Sequence, residues 1–263
     1  MLEVAGFLLP LISALWWPFA RCMAMLATAP VLGESYVPLA VRALLSVVLA
    51  FMMLPMTQGR AMPDPFSLAG VAAMVEQAVI GGVIGLALQL TMAVVSTLGF
   101  LVSSQIGFSM AQMNDPVNGQ QSDVVSGLLG LVAILVFFAI DGHLVLVGVL
   151  GQSFLAWPVG GEIGFNAAPL LLQTVALNVG WVFAAAILLA LPIVFSTLVV
   201  QIGLGFLNRV APSLNLFSLG FSLVTLFGLM MLAQVVRFIP EHYVQMTNQV
   251  LEMLQQQMRA AHG

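Results

Sequence analysis

The sequence predicts an all-α membrane protein with roughly six long apolar, partly broken helices arranged as helical hairpins, followed by an amphipathic C-terminal helix. Of its 263 residues, 61% are hydrophobic and 6% are charged, whereas a soluble domain has about 45–50% and about 25%. Several apolar stretches reach the length of about 20 residues that crossing a bilayer requires. So few polar side chains cannot cover a water-soluble surface, which decides the class before any motif is considered.

Apolar runs give the helices in chain order. They lie near residues 4–29, 36–56, 68–102, 124–151, 167–203 and 214–239. Each run is continuous, whereas strands of a membrane barrel alternate in hydrophobicity over about ten residues, so we expect helices. The first run lacks a basic region before it and contains Arg21 where a signal-peptide cleavage motif would lie, so we expect it to be retained.

Clusters of turn residues predict the connections between these runs. They occupy residues 29–38, 55–65, 103–123, 158–166 and 203–215. Within the runs, Pro10, Pro18 and Pro192 predict further breaks, because a proline removes a main-chain donor and clashes with the preceding turn.

Residues 240–263 differ from the runs before them because apolar and polar side chains alternate at helical spacing. The apolar side chains are Tyr243, Met246, Val250, Leu254 and Met258. The polar side chains on the other face are Gln249, Glu252, Gln256 and Arg259. An amphipathic helix of this kind lies on a membrane surface or packs on a partner, and its non-basic polar face favours a partner. We expect residues 1–263 to form a single domain that ends in this helix.

Composition excludes several function classes. The formal net charge is -4, and all six basic residues are arginines scattered singly along the chain, so we expect no nucleic-acid partner. The absence of lysine rules out a Schiff base and a Walker A phosphate loop. The three histidines lie far apart, and no nucleophile elbow is present. We therefore expect no metal, no cofactor and no enzymatic activity.

Ionisable side chains inside the apolar runs are the first functional candidates, because they are costly in a membrane. The strongest of these are Glu76, Asp141 and His143. Together they suit an ion-coupled membrane transporter, which is the alternative function for this chain. For Asp141 and His143 we favour a structural role, since Gly142 between them suggests a helix interruption. Arg21 and Arg42 are expected to need partners that lipid cannot supply. No internal repeat of the kind found in transporters is visible.

Two segments carry a resemblance to a known family. The first, GFSMAQMNDPVNGQQ, covers residues 107–121, and the second, GLGFLNRVAPSLNLFSLGF, covers residues 203–221. Together with the proline-containing segment at residues 189–192, they resemble the FliR family of the flagellar protein export gate. Virulence type III secretion relatives share the core at residues 211–217. The resemblance extends over most of the chain and is strongest from residue 103 to residue 222.

The resemblance implies a non-enzymatic subunit, present once, that nucleates a helical channel with several copies of FliP and FliQ. Unfolded flagellar proteins pass through this export gate, alongside the larger gate protein FlhA and its companion FlhB. The implied location is the bacterial inner membrane within the flagellar basal body, raised toward the periplasm. Membrane lipid is a further expected partner.

The family also assigns a role to the loop at residues 106–121, which enters the pore as a plug. Its bulky or flexible apolar side chains suit an irregular lumen, and its turn residues reverse the chain. The residues concerned are Ile106, Phe108, Met110, Met113, Asn114, Asp115, Pro116, Asn118 and Gly119. The competing interpretation is a polar external loop between two spans.

The second segment is expected to form a subunit interface or structural motif. Its members are Asn208, Arg209, Pro212, Asn215, Phe217 and Gly220. In this interpretation Asn208 and Arg209 cap a helix end and Pro212 fixes the next helix start, whereas an ordinary interhelical loop is the alternative. One departure is Asp141, where the family commonly has asparagine.

Overall fold

The computed structural model describes residues 2–57, 63–65, 67–108, 123–159, 164–210 and 216–260. All regular secondary structure in these ranges is helical. The helices, in chain order, are α1 (Leu2–Thr28), α2 (Leu39–Thr57), α3 (Leu68–Gln105), α4 (Val124–Ala139), α5 (Gly142–Ala156), α6 (Gly164–Val210), α7 (Leu216–Val235) and α8 (Ile239–Ala260), with a 3₁₀ turn at Val236–Phe238. The predicted all-α class is confirmed.

Four helical stretches in the described ranges are long and apolar enough to cross a membrane: Leu39–Thr57, Leu68–Gln105, Val175–Val210 and Gly220–Ala260. The bent pair α4 and α5 makes a fifth if it is one span. In chain order, the four stretches fall on the second, third, fifth and sixth apolar runs of the sequence, and the bent pair falls on the fourth. The chain therefore has the helices of a membrane-embedded protein.

The predicted proline breaks are wrong. Helix α1 continues through Pro10 and Pro18, and α6 continues through Pro192. The predicted connection at residues 203–215 begins too early, because α6 extends to Val210. In apolar surroundings proline and glycine are tolerated inside helices, since the alternative is to leave many more main-chain groups without hydrogen bonds.

The predicted interruption beside Gly142 is confirmed. Helices α4 and α5 meet at an angle of 65°. Asp141 at the junction has φ 55 and ψ 34, a left-handed backbone conformation that aspartate and asparagine adopt more readily than most residues. The run at residues 124–151 is thus two helices rather than one.

The helices contribute to two compact units. The first comprises Met1–Leu90, Phe137–Asn178 and Thr247–Gly263, and the second comprises Thr91–Val136 and Val179–Met246. Fully buried side chains in the first unit include Trp17, Met25, Ile80, Ile84, Phe154 and Trp157. Those in the second include Leu98, Ile106, Leu129 and Tyr243.

Helix α3 approaches α1 closely in the first unit. A Cβ at Gly81 would overlap the main chain of Arg21, and one at Gly85 would overlap Thr28. Thr28 Oγ1 also donates a hydrogen bond of 2.9 Å to the carbonyl of Gly82. This small-residue pair therefore serves an internal helix contact.

Helix α8 is amphipathic as predicted, but its apolar face is not free. The five predicted apolar side chains, Tyr243, Met246, Val250, Leu254 and Met258, are all buried by the chain itself. The polar residues Gln249, Glu252, Gln256 and Arg259 are exposed. The chain itself therefore covers the apolar face that the sequence assigned to a membrane surface or a partner.

Candidate functional site

Only the beginning of the predicted plug loop lies within the described residues. Residues 109–122 lie outside them, and with them Met110, Met113, Asn114, Asp115, Pro116, Asn118 and Gly119. Ile106 and Gly107 follow directly after α3, and Phe108 is half-buried. We call Ile106 and Gly107 the loop root.

The loop root rests on α7. The hydroxyl of Thr225 donates a hydrogen bond of 2.8 Å to the carbonyl of Ile106. The Ile106 side chain is fully buried, and a Cβ at Gly228 would overlap it. Because only glycine leaves space at this position, Ile106 is inserted against the backbone of α7.

Gly107 makes the next contact with the same helix. Its φ of +86 lies in the region that favours glycine, and a Cβ there would stand 2.7 Å from Cε2 of Phe221. Phe221, Thr225 and Gly228 are spaced four and three residues apart, so they share one face of α7. We call these three residues the α7 seat.

The chain is also fixed where it leaves the loop. Asp123 precedes α4 as its N-cap, with Oδ1 accepting a hydrogen bond of 3.1 Å from the main-chain N–H of Val125. Oγ of Ser126 lies 2.5 Å from Oδ2 of Asp123 and 3.1 Å from the carbonyl of Ser96 in α3. Both ends of the loop are therefore held by specific contacts in the second unit.

The second predicted motif lies only partly in the described ranges. Asn208 and Arg209 are exposed in the last turn of α6, where a positive charge is favourable at the helix C-terminus. Phe217 falls in the first turn of α7, and a Cβ at Gly220 would stand 3.5 Å from Cδ1 of Leu204. Pro212 and Asn215 lie outside the described residues.

Arg21 is at the centre of a buried polar cluster in the first unit. Its Nε donates to Oε1 of Gln77 at 2.8 Å, one terminal nitrogen donates to Oγ of Ser153 at 3.1 Å, and the other donates to the carbonyl of Trp157 at 2.7 Å. The guanidinium carbon lies 4.1 Å from the centre of the Phe154 ring. The expectation that Arg21 needs an external partner is therefore wrong, because the chain itself satisfies the guanidinium.

The three residues of the transporter interpretation are not brought together. Glu76 is buried and interacts electrostatically with Arg21. Asp141 is exposed at the bend, and the His143 ring lies 5.8 Å from the ring of Phe138. His143 and Ser153, a member of the Arg21 cluster, are ten positions apart in α5, which corresponds to roughly 15 Å along the helix. A direct relay between these groups has no support in this geometry.

Sequence reasoning missed the side chains that complete both clusters. Ser153 and Thr225 stand in mostly apolar helices. Each meets a group more than a hundred positions away: Ser153 meets Arg21 across 132 positions, and Thr225 meets Ile106 across 119. A hydroxyl in a mostly apolar run was the available signal. Its partner depends on tertiary packing, which local spacing does not encode.

Residues 12–250 match the family model described as Bacterial export proteins, family 1. The chain belongs to this family, the FliR family. This FliR-family chain is 34% identical to the flagellar biosynthetic protein FliR of Pectobacterium carotovorum subsp. carotovorum over 243 residues, covering 92% of each protein. It is 31% identical to FliR of Escherichia coli strain K12, with 91% of the chain and 90% of the relative covered.

A relative with a different name is similar as well. The surface presentation of antigens protein SpaR of Salmonella typhimurium is 27% identical over 84% of the chain and 81% of its own length. Family membership and the apolar helices together make this chain a membrane-embedded component of type III flagellar protein export. As such it associates with other components of the export apparatus.

Proposed function

We propose that this chain is the non-enzymatic subunit that nucleates the flagellar export gate with FliP and FliQ. The assembled helical channel lies in the bacterial inner membrane, within the basal body and raised toward the periplasm, next to FlhA and FlhB. Unfolded flagellar proteins pass through it. Residues 1–263 act in this proposal as one gate domain without a cofactor.

The observation that carries this proposal is the amount of apolar surface that the chain leaves uncovered. We compare how much of an apolar 18-residue stretch is buried in each span. The buried share is 61% in α3, 28% in Val175–Val210 and 17% in α2. Large side chains such as Phe183, Phe195 and Phe206 stand exposed along α6. Continuous apolar surface of this extent is typical of a subunit that packs against other proteins or lipid.

The plug role of residues 106–121 is supported by how the loop is held. A segment that fills a pore must start from a fixed point, because a freely moving base would leave the lumen open. The α7 seat supplies such a point for Ile106 and Gly107, and the cap at Asp123 supplies another. In this proposal Ile106 anchors the loop, while Phe108, Met110 and Met113 fill the lumen.

A leak assay tests the plug. Deleting residues 108–119, or replacing Met110 and Met113 by glycine, is expected to leave the complex assembled but permeable to small ions, because hydrophobic constrictions close pores by excluding water. The measurement is conductance or uptake of a membrane-impermeant dye in cells carrying the complex. Met110→Leu with Met113→Leu is the matched control, since it conserves apolar volume. Unchanged tightness of the deletion variant, with assembly verified by copurification, would remove the plug role from this loop.

A further inference from the structure

An open apolar groove of about 210 Å³ lies between α1 and α2. Its lining residues are Leu15, Trp16, Phe19, Val47 and Ala50. Trp16 and Val47 are 41% and 49% exposed, so the groove opens to the surroundings of the first unit. An apolar cavity of roughly 150 Å³ already binds a benzene-sized molecule. The groove therefore has the size and the chemistry for a stretch of hydrocarbon.

The helix that forms one wall of this groove has the dimensions of a membrane span. Helix α2 contains 19 residues, which makes it about 28 Å long, close to the hydrocarbon thickness of about 30 Å. Apart from a buried stripe at Ser46, Ala50, Met53 and Thr57, its surface is largely exposed and apolar. Lipid acyl chains are the hydrocarbon that such a face meets in a membrane.

Arg42 meets the main chain of Glu34 at one end of the α1–α2 hairpin. A terminal nitrogen of Arg42 donates to the main-chain carbonyl of Glu34, which orients the guanidinium. The Glu34 carboxylate is exposed, with Oε1 at 3.4 Å from Nε2 of Gln89. Tyr36 in the same connection is 59% exposed, and exposed tyrosines concentrate at membrane–water interfaces. These residues therefore suit the level of lipid headgroups.

The charged end and the groove are in register. Along α2, Val47 and Ala50 lie about 8 Å and about 12 Å from Arg42. A phospholipid places its phosphate and its acyl chains in the same order. Glu34 is the residue whose main-chain carbonyl Arg42 contacts, and its carboxylate is exposed. This carboxylate disfavours a purely anionic headgroup, because like charges repel, and it suits a headgroup that also carries an ammonium group.

The geometry points to a binding site for a phospholipid whose headgroup carries a phosphate and a primary ammonium group. Arg42 binds the phosphate through charge-assisted hydrogen bonds, Glu34 binds the ammonium group, and one acyl chain lies in the groove. The site does not depend on the plug or on the channel proposed above.

Native mass spectrometry of the full chain, alone and in its export complex, tests the headgroup contacts. The probes are phosphatidylethanolamine and phosphatidylglycerol with identical acyl chains. We expect phosphatidylethanolamine to be retained preferentially, and Arg42→Gln to weaken its binding about tenfold. Arg237→Gln, at an exposed position in the 3₁₀ turn, is the matched control. Equal retention of the two lipids, or equal loss in both variants, would overturn the proposal.

Fluorescence tests the groove. Phosphatidylethanolamine with brominated acyl chains, added to the detergent-solubilised protein at about one molecule per chain, is expected to quench the fraction of emission that Trp16→Phe removes. Val47→Phe should fill the groove and abolish this quenching, whereas Val48→Phe should not, since Val48 does not line it. Quenching that survives Val47→Phe contradicts the site. Lipid bound by the isolated chain but absent from the export complex also contradicts it, because a protein subunit would then occupy the groove.

Discussion

The guanidinium of Arg21 connects three predominantly apolar helices of the first unit, α1, α3 and α5. The sequence identified Arg21 and Glu76 as costly residues in apolar runs, but not their mutual proximity. Two of the acceptors, the Ser153 hydroxyl and the Trp157 carbonyl, are chemically unremarkable and lie more than 130 positions away. The local sequence shows that a buried arginine needs hydrogen-bond acceptors. Which groups accept from it depends on how the helices pack.

Replacing Arg21 tests this cluster. Arg21→Met should destabilise the chain by about 3 kcal/mol, because it leaves Glu76 buried without its positive partner. Thermal unfolding of the detergent-solubilised protein measures the effect. Adding Glu76→Gln to Arg21→Met should restore part of the loss, and Arg237→Met should have little effect. Equal unfolding temperatures for Arg21→Met and Arg237→Met would show that the cluster does not stabilise the fold.

At Asp141 we expect the backbone conformation to matter more than the charge for protein stability and motility. Asparagine accepts the left-handed conformation, so Asp141→Asn should preserve motility and protein level. Asp141→Val should lower protein level, since a β-branched residue at positive φ costs about 1–2 kcal/mol. Motility assays with immunoblots separate the two effects. Motility lost in Asp141→Asn at normal protein level would point to a titrating role instead.

At the scale of elements, local periodicity predicted some features well and others poorly. The apolar stripe of α8 follows helical spacing, and all five predicted residues are buried. By contrast, α6 continues through Pro192, Gly203 and Gly205, because turn propensities established for water-exposed chains weaken in apolar surroundings. The α7 seat was not predicted at all, since its three residues look like ordinary members of an apolar helix until Ile106 is placed against them.

The α7 seat can be tested by a size exchange. Gly228→Ala should disturb the loop root and make the assembled gate leak, because its Cβ overlaps Ile106. Combining it with Ile106→Ala should restore tightness, since the shorter side chain leaves room. Gly180→Ala is the control, as a Cβ there meets nothing within 4 Å. The double variant leaking as much as Gly228→Ala would argue against direct contact between the two positions.

At the scale of the whole molecule, composition and run length predicted the all-α membrane class. The expected need for partners other than lipid rested on Arg21 and Arg42. Within the chain itself, Arg21 is satisfied and Arg42 donates to the carbonyl of Glu34, so the surface left to cover is the exposed apolar side chains of α2 and α6. The pattern of one chain does not encode which proteins cover that surface.

Production of the chain without FliP and FliQ should therefore give protein that is aggregated or readily cleaved by protease. Production with them should give a defined hetero-oligomer that contains this chain once, because partner helices cover the apolar faces. Native mass spectrometry and limited proteolysis of the detergent-extracted protein measure both outcomes. A stable, monodisperse monomer or homodimer obtained without the partners would contradict the proposed assembly.

The length of α6 sets a condition on its surroundings. The stretch from Val179 to Leu207, within the second unit, is apolar and about 44 Å long at about 1.5 Å per residue, whereas the hydrocarbon core is about 30 Å thick. Tilting alone would require an angle of about 47°, beyond the range of up to about 40° seen for membrane helices. Such hydrophobic mismatch is costly when lipid alone surrounds the helix. In the proposed gate, a collar of neighbouring subunits would cover the apolar length that exceeds the bilayer.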